Sequence, residues 1–72
     1  MTTVFWERFQ CLCEGCRVSP NGVCRVLGFS NAAATHWKQG KVPGAESLIK
    51  IANYFNCSVD YLLGRDNFVR NR

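Results

Sequence analysis

The chain has 72 residues, a formal charge of +4 at pH 7 and an apolar fraction of 47%. That length holds one domain and excludes a catalytic barrel, a doubly wound nucleotide fold or a separate effector domain, and the apolar fraction is that of a globular rather than a disordered chain. No apolar run approaches the ~20 residues of a membrane span, and residues 1–8 form neither a signal peptide nor a lipidation site, so a soluble, cytoplasmic protein is expected.

Helical periodicity dominates the chain. Phe5, Phe9, Leu12 and Cys16 recur at i, i+4, i+7 and i+11, which predicts one apolar stripe on a helix over residues 4–16. Gly15 weakens its end. Ser19 is suited to cap the next helix, with Pro20 in its first position. Val23, Cys24 and Leu27 face inward there, and Gly28 ends the helix as a residue able to take φ > 0. Ser30 is a second cap, and Asn31-Ala-Ala-Ala-Thr-His-Trp-Lys38 reads as a third helix with Ala34 and Trp37 toward the core. Gly40 closes it. Residues 41–44 form a loop, because Pro43 disfavours helix at the residue before it. Ala45, Leu48, Ile49, Ile51, Ala52 and Phe55 mark a fourth amphipathic segment that stops at Asn56. Ser58 caps a last short helix carrying Val59, Leu62 and Leu63, ended by Gly64. Residues 65–72 are polar and basic, with Phe68 and Val69 the only apolar side chains. The pattern is all-α, with five short helices around one core.

Five cysteines occur, at Cys11, Cys13, Cys16, Cys24 and Cys57. An odd count without an export signal fits a disulfide framework poorly. Cys-Leu-Cys-Glu-Gly-Cys over residues 11–16 invites a metal reading, but His36 is the one histidine and no second Cys-x-x-Cys pair exists to complete a zinc site. On a helix Cys13 and Cys16 share a face and Cys11 points elsewhere. The cysteines therefore read as small hydrophobes in a reducing compartment, and no metal or cofactor is expected.

Charge is uneven. No acidic residue lies between Glu14 and Glu46, an interval holding Arg17, Arg25, Lys38, Lys41 and His36. Such a stretch suits a polyanion, although scattered basic residues also serve solubility alone. Within it, helices over residues 19–27 and 30–38 meet through Leu27-Gly28-Phe29-Ser30, which matches a helix-turn-helix unit. Cys24 or Ala34 supplies the small residue at the crossing, while Val23, Leu27, Phe29 and Trp37 lock its angle. The second helix then offers its outer face to a DNA major groove.

Four stretches carry a family resemblance: Phe5-Trp-Glu-Arg-Phe9, Val26-Leu-Gly-Phe-Ser-Asn31, Trp37-Lys-Gln-Gly-Lys-Val-Pro43 and Leu48-Ile-Lys-Ile-Ala-Asn-Tyr-Phe-Asn-Cys-Ser-Val-Asp-Tyr-Leu-Leu-Gly64. Over residues 4–65 the chain resembles the XRE-type, lambda-repressor-like (Cro-type) helix-turn-helix regulators of bacteria and phages. The resemblance implies a compact five-helix DNA-binding domain over residues 1–65, followed by a basic tail over 66–72. It implies a transcriptional regulator, usually a repressor, that binds double-stranded DNA sequence-specifically as a homodimer on a palindromic operator, with helix 31–38 in the major groove. By position, base reading falls on Asn31, Ala32, Ala33 and His36. Phosphate contact falls on Ser19, Thr35, Gln39, Lys41 and the amides around Gly44. Asn31 can bond adenine N6 and N7, His36 can donate to guanine N7 or O6 or to a phosphate, and the alanines can touch only thymine methyls. Lys38 and Lys41 neutralise phosphate charge. The family often has Arg at the position of Cys13 and Gly at that of Arg17, and usually Gln at Pro20 and Glu at Gly22. Arg17 and Arg25 stand in for the missing backbone clamps. Residues from Tyr61 to Val69 are the expected dimer surface.

Two other readings compete. One is a protein-interaction module on the same fold with weakened DNA readout. The other is a thiol- or metal-responsive regulator using Cys11, Cys13 and Cys16. An enzyme is not expected: there are no paired carboxylates on one face, no glycine-rich phosphate loop and no nucleophile with its base.

Overall fold

The computed structural model describes residues 3–65. Five helices follow one another: α1 (Val4–Gly15), α2 (Pro20–Val26), α3 (Ala33–Lys38), α4 (Ala45–Phe55) and α5 (Val59–Leu63). Three begin at a hydroxyl cap. Thr3 Oγ1 accepts from the Trp6 N–H at 3.1 Å, Ser19 Oγ from Gly22 at 2.9 Å, and Ser58 Oγ from Tyr61 at 2.9 Å. The third helix differs from expectation. Ser30 does not cap it; instead the Ser30 carbonyl accepts from the Ala33 N–H at 3.2 Å, so Asn31 and Ala32 lie in a tight turn ahead of α3. The backbone closes that turn itself, and Ala32, already at φ −90° and ψ −3°, brings no side chain to cap with.

All five helices stop in the same way. The residue after the end bonds back to the last turn and the next residue bonds one step deeper: Arg17 to Glu14 and Val18 to Cys13, Gly28 to Arg25 and Phe29 to Cys24, Gly40 to Trp37 and Lys41 to His36, Asn56 to Asn53 and Cys57 to Ala52, Gly64 to Tyr61 and Arg65 to Asp60. This paired closure needs a left-handed residue at the reversal. Glycine serves at 28, 40 and 64, Asn56 does so at φ 57°, and Arg17 does so at φ 58°. Arginine is the costly occupant, because its Cβ crowds the carbonyl there. Arg17→Gly is therefore expected to stabilise the domain by about 0.5–1 kcal/mol, the relief of strain being partly offset by the freer unfolded chain. A higher denaturant midpoint at unchanged m-value checks it; an unchanged or lower midpoint contradicts it.

The core draws on every helix. Phe5, Trp6, Phe9 and Cys13 come from α1, Val23 and Cys24 from α2, Ala34 and Trp37 from α3, Leu48, Ile51 and Ala52 from α4, and Leu62 from α5. Trp37 stands in the middle, edge-on to Phe5 at 5.4 Å, Phe9 at 5.5 Å and Phe29 at 5.6 Å between ring centroids. The α1 stripe is corrected at its end: Leu12 is half-buried and Cys16 exposed, while Trp6 and Cys13 are buried. The helix ends at Gly15 and the chain reverses at Arg17, so no further turn exists to carry Cys16 inward. Ile49 is likewise exposed, because the inner face of α4 follows Leu48, Ile51, Ala52 and Phe55.

The first and last helices lock together. The Arg8 guanidinium lies 4.4 Å from the Tyr61 ring centre and its Nη1 donates to the Tyr61 carbonyl at 3.2 Å. Beside it Gly64 approaches so closely that a Cβ there would stand 2.6 Å from Val4 Cγ1. Tyr61, the first residue of the expected dimer surface, is thus half-covered from within the chain. Phe68, Val69 and the rest of residues 66–72 lie outside the described residues. No helix among the described residues is long and apolar enough to cross a membrane.

Candidate nucleic-acid interface

The crossing of α2 and α3 sets the geometry of the site. Cys24 and Ala34, both buried, stand where the helices meet, and the Ala34 N–H hydrogen-bonds the Cys24 sulfur. Burial pushes the Cys24 thiol up, and that bond only opposes it in part. Val23 and Trp37 are buried beside them, with Leu27 and Phe29 packed against the core. Lys50 reaches over the Phe29 ring, with Nζ 5.8 Å from its centre, and ties the turn to α4.

With Ala34 and Trp37 inside, the opposite side of α3 faces out. Ala32, Thr35, His36 and Gln39 are exposed and recur at i, i+3, i+4 and i+7, one helical stripe. Asn31 is exposed in the preceding turn. Ala33 is half-buried and packs against the core, so of the three alanines Ala32 alone is fully presented. Arg17, Ser19, Arg25, Lys38, Lys41 and Gly44 are exposed around this stripe. None of the side chains of Arg17, Arg25, Lys38 and Lys41 has a hydrogen-bond or ion-pair partner among the described residues. Gly44 precedes α4 with extended backbone and no side-chain cap, which leaves the first amides of that helix uncapped.

Two clefts indent this side. One, of about 220 Å³, lies between α2 and the turn into α3, lined by Asn21, Cys24, Arg25, Ser30 and Asn31. The other, of about 300 Å³, is bounded by Trp6 and Gln10 of α1, Ser19 and Asn21 at the start of α2, and Thr35 and Lys38 of α3. No carboxylate lines either one. Trp6, Gln10 and Asn21 were not legible as site residues. Trp6 reads as ordinary core on its helix, and only the packing of α1 beside α2 and α3 brings it to the cleft.

The cysteines are scattered by the fold. Cys11 and Cys16 are exposed, Cys13 and Cys24 buried, and Cys57 half-buried. Burial pushes the Cys13 thiol up to about 11, with Cys24, Cys16 and Glu14 adding to the shift, and burial raises Cys57 as well. Such thiols stay protonated and are poor ligands and nucleophiles. Among the described residues no three His, Cys, Asp or Glu side chains gather to hold a metal ion.

A family model described as helix-turn-helix matches residues 16–62, from the end of α1 into α5. No curated protein and no solved structure matches the chain.

Proposed function

The chain belongs to the XRE-type, lambda-repressor-like helix-turn-helix family of DNA-binding regulators, and from that premise we propose that it is a transcriptional repressor that reads duplex DNA sequence-specifically. In this reading α3 and the turn before it enter the major groove. Asn31 and His36 supply the hydrogen bonds to base edges, and Ala32, with the edge of Ala33, supplies contact to thymine methyls. Arg17, Ser19, Arg25, Thr35, Lys38, Gln39, Lys41 and the amides around Gly44 meet the phosphates. They set register and most of the affinity, and sequence is read by the few base contacts and by DNA shape. The protein acts in the cytoplasm as a homodimer on a palindromic operator, with residues 1–65 as the binding domain and the basic residues of 66–72 as an accessory tail.

The observation that carries the reading is the outer stripe of α3, exposed along its length and surrounded by four unpartnered cations. Selection of bound duplexes from a random pool tests it. The expected result is enrichment of a sequence with two related half-sites, bound saturably and more weakly as salt rises. No enrichment, with neither saturation nor salt dependence at micromolar protein, would refute the proposal.

A further inference from the structure

We infer that α1 takes part in DNA binding: the 300 Å³ cleft between α1, α2 and α3 is a seat for one backbone phosphate of the duplex, with the Trp6 indole N–H among its donors. The inference rests on the DNA-binding reading and extends it to a helix that the family match leaves out. Trp6 is only 4% exposed and packs on Phe9 at 5.8 Å between ring centres, yet its indole N–H meets no acceptor among the described residues. A buried tryptophan N–H normally has a partner, and one left unpaired is costly. Trp6 lines this cleft.

The other polar walls are all able to donate. Gln10 and Asn21 bring amides, Thr35 and Ser19 hydroxyls, and Lys38 an ammonium. Ser19 Oγ already accepts from the Gly22 N–H, which leaves its own proton to give outward. The side chains of Gln10, Asn21, Thr35 and Lys38 have no hydrogen-bond partner among the described residues. One positive charge, several neutral donors and no carboxylate match a group with one negative charge and only acceptor oxygens, which describes a phosphodiester. The placement agrees: Thr35 and Lys38 sit on α3, and a helix lying in a groove ~12 Å wide has a sugar–phosphate strand along its flank.

The test follows the two indole N–H resonances of the labelled full chain by NMR, with Trp37 as the internal control. A short duplex carrying the selected site is one arm and inorganic phosphate the other. Trp6 is expected to shift with duplex at micromolar concentration and with inorganic phosphate only at millimolar concentration, while Trp37 stays. Gln10→Ala, a change on the exposed side of α1, is expected to weaken duplex binding about 3–10-fold without altering the melting temperature or the salt slope, since no charge is lost. Trp6→Phe, if it folds, is expected to weaken binding by a similar factor. If α3 amides shift on saturation with duplex while the Trp6 indole does not, the phosphate seat is refuted and DNA binding stands. A Trp6 shift with inorganic phosphate but not with saturating duplex makes the cleft a site for a free anion and overturns the inference. Absence of any saturable duplex binding removes the DNA reading, and the seat with it.

Discussion

Alanine in place of Trp37 is expected to unfold the domain at 25 °C and to abolish DNA binding as a consequence. Trp37 is 6% exposed and meets three aromatic rings edge-on. Truncating a buried Trp costs about 3–5 kcal/mol through lost burial and the cavity left behind. A chain of this size has a total stability of roughly 3–11 kcal/mol, with small single cores toward the low end. The loss is also concentrated where it cannot be absorbed. Helix α3 has six residues and no side-chain cap, far below the ~12–15 residues at which helices begin to persist alone. Trp37 joins it to Phe5 and Phe9 of α1. Far-UV circular dichroism and denaturant titration check the result: Trp37→Ala should show little helix and no cooperative transition. A cooperative transition within a few degrees of the parent would mean that something other than Trp37 holds α3.

The second large effect concerns charge. Replacing Arg25, Lys38 and Lys41 together by glutamine is expected to lower duplex affinity about 100–1,000-fold at low salt. The slope of log affinity against log salt should shrink in magnitude by about 2.7 per protomer, from ~0.9 for each phosphate neutralised. All three side chains are exposed and none has a partner among the described residues, so folding stability should change by less than ~0.5 kcal/mol for each. That separates the outcome from unfolding, which would remove binding at every salt concentration. Titrations at several salt concentrations, with thermal melting as the control, measure both. An unchanged slope would show that these cations do not meet phosphates.

Much of the fold is legible residue by residue, and the exceptions share a cause. Ser19 with Pro20, and Ser58, announce α2 and α5 because a hydroxyl cap is a local device; Gly28 and Gly64 mark the ends because left-handed backbone is nearly theirs alone. The start of α3 is hidden because the turn is closed by a carbonyl, which every residue possesses. Arg17 hides the reversal after α1 because nothing in arginine announces φ 58°. The consequence was a stripe extended to Cys16. The position of the interface was readable from two short helices, a glycine turn and an acid-free interval. The share of α1 was not. Trp6 and Gln10 approach Thr35 and Lys38 only through tertiary packing, and the matched span of the family begins at residue 16.

The central place of α1 also shapes how the protein is made. Its apolar face leaves the ribosome before anything that can cover it: Trp37 comes later, then Phe55, and Tyr61 follows its partner Arg8 by 53 residues. At ~5–20 residues per second, the nascent chain carries Phe5, Trp6 and Phe9 uncovered for roughly 3–10 s before the last partner is synthesised. For that interval these three rings are the surface most open to chaperones and to association with neighbouring nascent chains.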